Sequence, residues 1–124
     1  MRPFRHSTAM ILLVASLVSC TQKSAVSYKT VGDLGEALNA EERICAPLEV
    51  GSGEADLVQE QGTCPTDDGD VEVFLFDGIK KRDQWLALGA RLREATAVGP
   101  NWAVIGEEEA VRKVADALGA EMRD

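Results

Sequence analysis

Histidine is almost missing from this chain: there is one, His6, and nothing after it can supply an imidazole. The commonest general base and a common metal ligand are thereby confined to the first few residues. A run of about twenty apolar residues is also absent, so no segment reads as a membrane-spanning helix. An excess of lysine and arginine is lacking too, with 13 basic residues against 21 acidic ones, a balance that argues against nucleic acid, which is bound mainly by clustered basic residues. The glycines at 51, 53 and 62 lack the strand-to-helix setting of a phosphate loop. There is no internal repeat and no sign of a second domain.

The first nineteen residues lack something as well: they contain no Asp or Glu. What they do contain is the layout of an export signal, with Arg2 and Arg5 ahead of an apolar run from Ala9 to Val18, then small residues and a cysteine. The run is about ten residues, half of what a spanning helix needs. Leu17-Val18-Ser19-Cys20 has the form of a lipobox, in which the thiol of Cys20 takes a diacylglycerol and the chain is cut between Ser19 and Cys20. The competing readings are a secreted protein cut elsewhere and a structural cysteine in an apolar helix. Acyl chains such as palmitate contribute about 0.8 kcal/mol per buried methylene, so two or three of them hold a protein firmly on a membrane it does not cross. Residues 1–19 are thus expected to be a signal peptide, and 20–29, polar and aperiodic, a flexible tether. One domain over 30–124 follows.

Cleavage would remove two basic and no acidic residues, leaving 11 against 21 and a formal charge of −10. Such a balance argues against a second, electrostatic contact with the membrane, and is otherwise a matter of solubility. If Cys20 carries lipid, Cys45 and Cys64 remain as an even pair in an oxidising compartment and are expected to form a disulfide. Small domains gain from such a link. A metal or redox pair is the alternative, but the spacing is not CxxC and no histidine accompanies it.

Thr30-Val31-Gly32-Asp33 fits a helix start, with Val31, Leu34, Ala37 and Leu38 at helical spacing and an end near Glu42. Alternation at Ala46, Leu48 and Val50, the Gly51-Ser52-Gly53 break and a second stretch from Ala55 to Gln61 predict a hairpin, with Pro47 favouring an edge. Thr66 to Asp70 is turn-forming. After it, Val71 to Phe76 is the best strand in the chain, with Val71, Val73 and Leu75 on one face and Phe74 and Phe76 on the other. Trp85, Leu88, Leu92 and Ala95 then mark a helix of roughly 16 residues. Gly99-Pro100-Asn101 is a loop and Trp102 to Ile105 a strand. Glu107, Glu108 and Glu109 open a last helix with core positions Val111, Val114 and Leu118 and a stop at Gly119, and Glu108–Arg112 and Glu109–Lys113 are its i, i+4 pairs. The order α-β-β-β-α-β-α implies an α+β domain: a small mixed sheet with helices on one face, one disulfide, and a parallel strand–helix–strand crossover from Val71 to Ile105.

Asp67, Asp68, Asp70, Glu72 and Asp77 are the candidates for carboxylate chemistry or a cation, since hard cations want several oxygens from a tight loop. Their spacing is neither that of an EF-hand nor of a marked acid pair, and a polar turn before a strand is the simpler reading. Trp85 and Trp102 could anchor a ligand, but their apolar settings favour the core. Catalytic, metal and cofactor groups are therefore not expected. With its lipobox at Leu17 to Cys20, its Cys45 and Cys64 pair, Phe76-Asp77 through Trp85, and Gly99-Pro100-Asn101-Trp102, the chain resembles small lipoproteins of actinobacteria and their phages. That resemblance implies an outward-facing, membrane-held protein and brings no known activity. A non-enzymatic binding or accessory module contacting an envelope protein or small ligand is the expectation. Exclusion of later phages at the host surface and a metal-dependent or carboxylate-based envelope enzyme are the alternatives.

Overall fold

The computed structural model describes residues 24–40, 42–45, 48–51, 56–88 and 94–123. Ser19, Cys20 and the rest of the expected leader, together with Ala46, Pro47 and Leu92, lie outside the described residues. In chain order the elements are α1 (Val31–Leu38), β1 (Glu49–Gly51), β2 (Val58–Thr66), β3 (Gly69–Phe76), α2 (Ile79–Ala87), β4 (Ala95–Gly99), β5 (Trp102–Gly106), α3 (Glu108–Leu118) and β6 (Glu121–Arg123). The strands form one six-stranded sheet in the order β1-β2-β3-β5-β4-β6, with every neighbouring pair antiparallel. The α+β class holds, as does the disulfide between Cys45 and Cys64. Among the described residues no helix is long and apolar enough to cross a membrane.

Local chemistry accounts for the elements that the sequence marks clearly. Thr30 caps α1, its hydroxyl accepting from the Asp33 amide at 3.0 Å, and the Glu60 carboxylate accepts from the Val31 amide at 2.7 Å. Two of the four amides left open at a helix start are thus satisfied. The helix stops at Leu38, short of Glu42, because the side chain of Asn39 turns to accept from the Cys45 amide at 2.8 Å and leads the chain away. Gly119 ends α3 in the left-handed conformation (φ 72°), as a C-terminal glycine does. Past it, where no element is expected, Glu121–Arg123 returns to pair with β4.

Strand β3 sorts the core. Val71, Val73 and Leu75 face α1 and α3 in one cluster with Leu34, Val111, Val114 and Leu118. Phe74 and Phe76 face the other way, against Val98, Ala103 and Ile105, under Trp85 and Leu86 of α2. Helices therefore cover both faces of the sheet, where one face was expected. The reason is a shift of the buried stripe of α2. Arg82, Trp85 and Leu86 point inward while Leu88 is 70 % exposed, so the stripe is not the one marked by Trp85, Leu88 and Leu92. The helix also ends at Ala87, and Ala95, expected within it, opens β4. Crossover topology changes accordingly. β4 runs parallel to β3, but β5 inserts between them and is antiparallel to both, so the expected mixed sheet has no parallel neighbours.

Trp102 is wholly buried beside β4, and its fit depends on Gly99, its cross-strand partner. A Cβ at residue 99 would stand 2.1 Å from the indole Cε2. Gly99→Ala is accordingly expected to lower stability by about 1–3 kcal/mol through overpacking, measured as a lower urea midpoint with an unchanged slope. The Cys45–Cys64 bond spans 19 residues and both cysteines are fully buried. Thiol labelling should find both blocked until reduction, and the double Ala variant should lose about 3 kcal/mol; an unchanged midpoint would contradict this account.

Candidate functional site

Three places carry polar side chains in defined geometry. The first is the corner formed by the β4–β5 turn. Asn101 holds the segment before α1 with its carboxamide: Oδ1 accepts from the Tyr28 amide at 3.0 Å, and Nδ2 donates to the Tyr28 carbonyl at 2.7 Å. The Asn101 carbonyl accepts from the Phe76 amide at 2.8 Å. Next to it the Trp102 indole donates to the Val26 carbonyl at 2.8 Å. Ala25 and Tyr28 pack on the main core, and the Tyr28 ring lies 6.2 Å from Trp102 in a tilted contact. Burial pushes the Tyr28 phenol above its usual 10.0, because the charged form loses water there. Residues 25–28, expected to be tether, are thus packed on the domain.

The second place is a groove of about 440 Å³ between α1 and α3, within the size range of small-ligand clefts. Its apolar lining is Ala37, Leu38, Ile44 and Ala117, and Glu42, Lys113 and Asp116 supply charge. Lys113 does not take up the expected pair with Glu109; its Nζ is 2.8 Å from the Asp68 carboxylate. That hydrogen bond, then the charge of Asp68, raises the Lys113 pKa above 10.5, so the ammonium persists at any physiological pH. The expected Glu108–Arg112 pair is present at 2.5 Å.

The acidic stretch is the third place. Asp67 and Asp68 form the two-residue turn of the β2–β3 hairpin, braced by Thr66, whose hydroxyl accepts from the Asp68 amide at 3.0 Å and donates to the Gly69 carbonyl at 2.6 Å. Asp70 and Asp77 flank opposite ends of β3, roughly 20 Å apart at strand rise, and cannot act as one acid pair. Glu72 pairs in register with Ile105 on the sheet and has an interaction of its own. Among the described residues no three His, Cys, Asp or Glu side chains converge on a point.

Trp85 stacks at 4.7 Å from Phe74 and 5.4 Å from Phe76, and Trp102 is buried, so neither ring presents an exposed anchor. Arg82 is the residue that sequence reasoning missed. It is 7 % exposed, donates from Nη1 to the Gly99 carbonyl at 2.6 Å and reaches Asp83 from Nε and Nη2. Nothing in an Ile-Lys-Lys-Arg-Asp stretch marks which cation goes inside. Comparison with protein-family models, curated proteins and solved structures gives no match for this chain.

Because Tyr28 is the sole tyrosine, the absorbance titration at high pH reports the corner alone. Its midpoint should lie above 10.0. The stability linked to it is complete below that pH and is lost as pH rises through the raised value. Asn101→Ala removes both contacts to the Tyr28 backbone, so the midpoint should fall back toward 10.0; an unchanged titration would refute the clamp.

Proposed function

We propose that the protein is a lipid-anchored lipoprotein facing outside the cytoplasm, whose domain is a non-enzymatic binding or accessory module of the cell envelope. The observation that carries this reading is the partition of the three cysteines. Cys45 and Cys64 are bonded to each other inside the domain, a state favoured by an oxidising compartment. Cys20 is left over, at the end of a lipobox. Lipid on that thiol, added after export, accounts for both facts with one location. Among the described residues, the groove beside Glu42, Lys113 and Asp116 is a place that could take a small ligand, and an envelope protein is the other class of partner that this reading admits.

The anchor is tested with the full chain in a bacterial host that acylates lipoproteins. Wild-type protein should incorporate a palmitate probe and fractionate with membranes. Cys20→Ala should lose the label and accumulate uncut or in the wrong compartment. Label retained by Cys20→Ala would refute lipidation at this residue.

A further inference from the structure

The corner that holds the N-terminal segment also gathers the lysines. Tyr28, Phe76 and Asn101 are joined there by hydrogen bonds. Lys29 follows Tyr28 directly, and Lys80 and Lys81 open α2 just beyond Phe76. All three are exposed. They are three of the five lysines in the chain. Two apolar side chains are exposed beside them, Val26 at 53 % and Ile79 at 56 %.

Three carboxylates at this end, Asp77, Asp83 and Glu60, have partners of their own. Asp77 faces Lys81 at 4.0 Å and Asp83 is held by Arg82. Glu60 accepts from the Val31 amide, Asp33 sits on α1, Asp56 precedes β2, and Glu121 opens the edge strand β6. Among the described residues no ion pair engages Lys29 or Lys80. The far end of the strands is different. Asp67, Asp68 and Asp70 surround the β2–β3 turn, and Glu107, Glu108 and Glu109 adjoin it, since a Cβ on Gly69 would come within 3.2 Å of Glu107 Cγ. The fifth lysine, Lys113, is there, bound to Asp68. A net charge of one sign thus conceals a gradient along the strands.

Chain geometry fixes which end lies near the anchor. Cys20 is five residues from Ala25, the first of the described residues packed on the core, and five residues span at most about 18 Å. The clamp leaves the domain no long leash on which to turn over. We propose that the domain stands on the bilayer by this corner, with Lys29, Lys80 and Lys81 against the headgroups of anionic phospholipids and the acidic end turned outward, an orientation that rests on the lipid anchor proposed above. Basic side chains next to a membrane anchor are drawn to an anionic surface within about a Debye length.

The test uses the full acylated protein added to preformed vesicles, either phosphatidylcholine alone or phosphatidylcholine with about a third phosphatidylglycerol. A pulse of water-soluble amine-acetylating reagent is read by peptide mass spectrometry, with the same protein in neutral detergent micelles as reference. On anionic vesicles Lys29, Lys80 and Lys81 should react about fivefold more slowly. Lys113 should be unchanged. The protection should weaken on neutral vesicles and at about 0.5 M salt, where screening shortens to about 4 Å. Equal reactivity of Lys80 and Lys81 on anionic and neutral vesicles, or protection of Lys113 in their place, would overturn the orientation. The same digest weighs the Cys20 peptide. An unacylated Cys20 overturns the anchor and the orientation with it, whereas an acylated Cys20 with unprotected lysines overturns the orientation alone.

Discussion

Trp102 has room only because the residue across from it, Gly99, has no side chain, and much of the molecule is arranged around that fit. The indole fills the main core between the sheet and α3, and its N–H must find an acceptor once buried. It finds the Val26 carbonyl, which brings the N-terminal segment onto the domain. The Gly99 carbonyl, for its part, accepts from the buried Arg82 guanidinium, which brings α2 onto the opposite face. One cross-strand pair therefore ties both faces of the sheet and the segment before α1 to the same short hairpin. Pro100 and Asn101, which close that hairpin, complete the arrangement, Asn101 serving as a detached piece of strand that pairs with Tyr28.

How much of this was legible depended on whether the deciding interaction was local. The cap at Thr30, the turn at Asp67-Asp68, the two-faced strand from Val71 to Phe76 and the stop at Gly119 are each set by residues within a few positions, and each is readable. Strand β4 was not, because Ala95-Thr96-Ala97-Val98-Gly99 has little strand character of its own and is held by pairing with β5 and β6. Helix α2 misled for a related reason. A buried arginine is rare enough that the stripe through Trp85 and Leu88 looks better than the true one through Arg82, Trp85 and Leu86. The choice was made by a carbonyl 17 residues away. The same holds for Lys113, drawn from its helical neighbour Glu109 to Asp68 on another element.

Charge shows the limit of composition in another way. Net charge states how the protein repels its own kind, and on that basis a second contact with an acidic surface is unexpected. Position changes the inference, because fields at a surface act over about 10 Å, much less than the length of β3. A domain longer than the screening length presents local charge to whatever lies at each end. The three exposed lysines toward the Phe76 end of β3 and the six carboxylates around the β2–β3 turn are seen separately by their surroundings.

That separation has meaning only if the domain cannot rotate freely on its anchor, and this is where the hydrogen bonds at the corner become consequential. Each contributes on the order of 1 kcal/mol, and three of them act on the backbone of residues 26–28, together with burial of Ala25 and Tyr28. A few kcal/mol is enough to keep a segment docked more than nine-tenths of the time, since each 1.4 kcal/mol is a factor of ten. The clamp thus docks residues 26–28 of what composition alone describes as a tether, and on the orientation proposed above the axis from the lysine corner to the acidic turn acquires a direction relative to the membrane. The groove between α1 and α3 is lined by the C-terminal ends of both helices and by Lys113, which also holds Asp68 of the β2–β3 turn, so it lies toward the acidic end of that axis. On the orientation proposed above, a ligand would reach it from the end of the domain turned away from the bilayer.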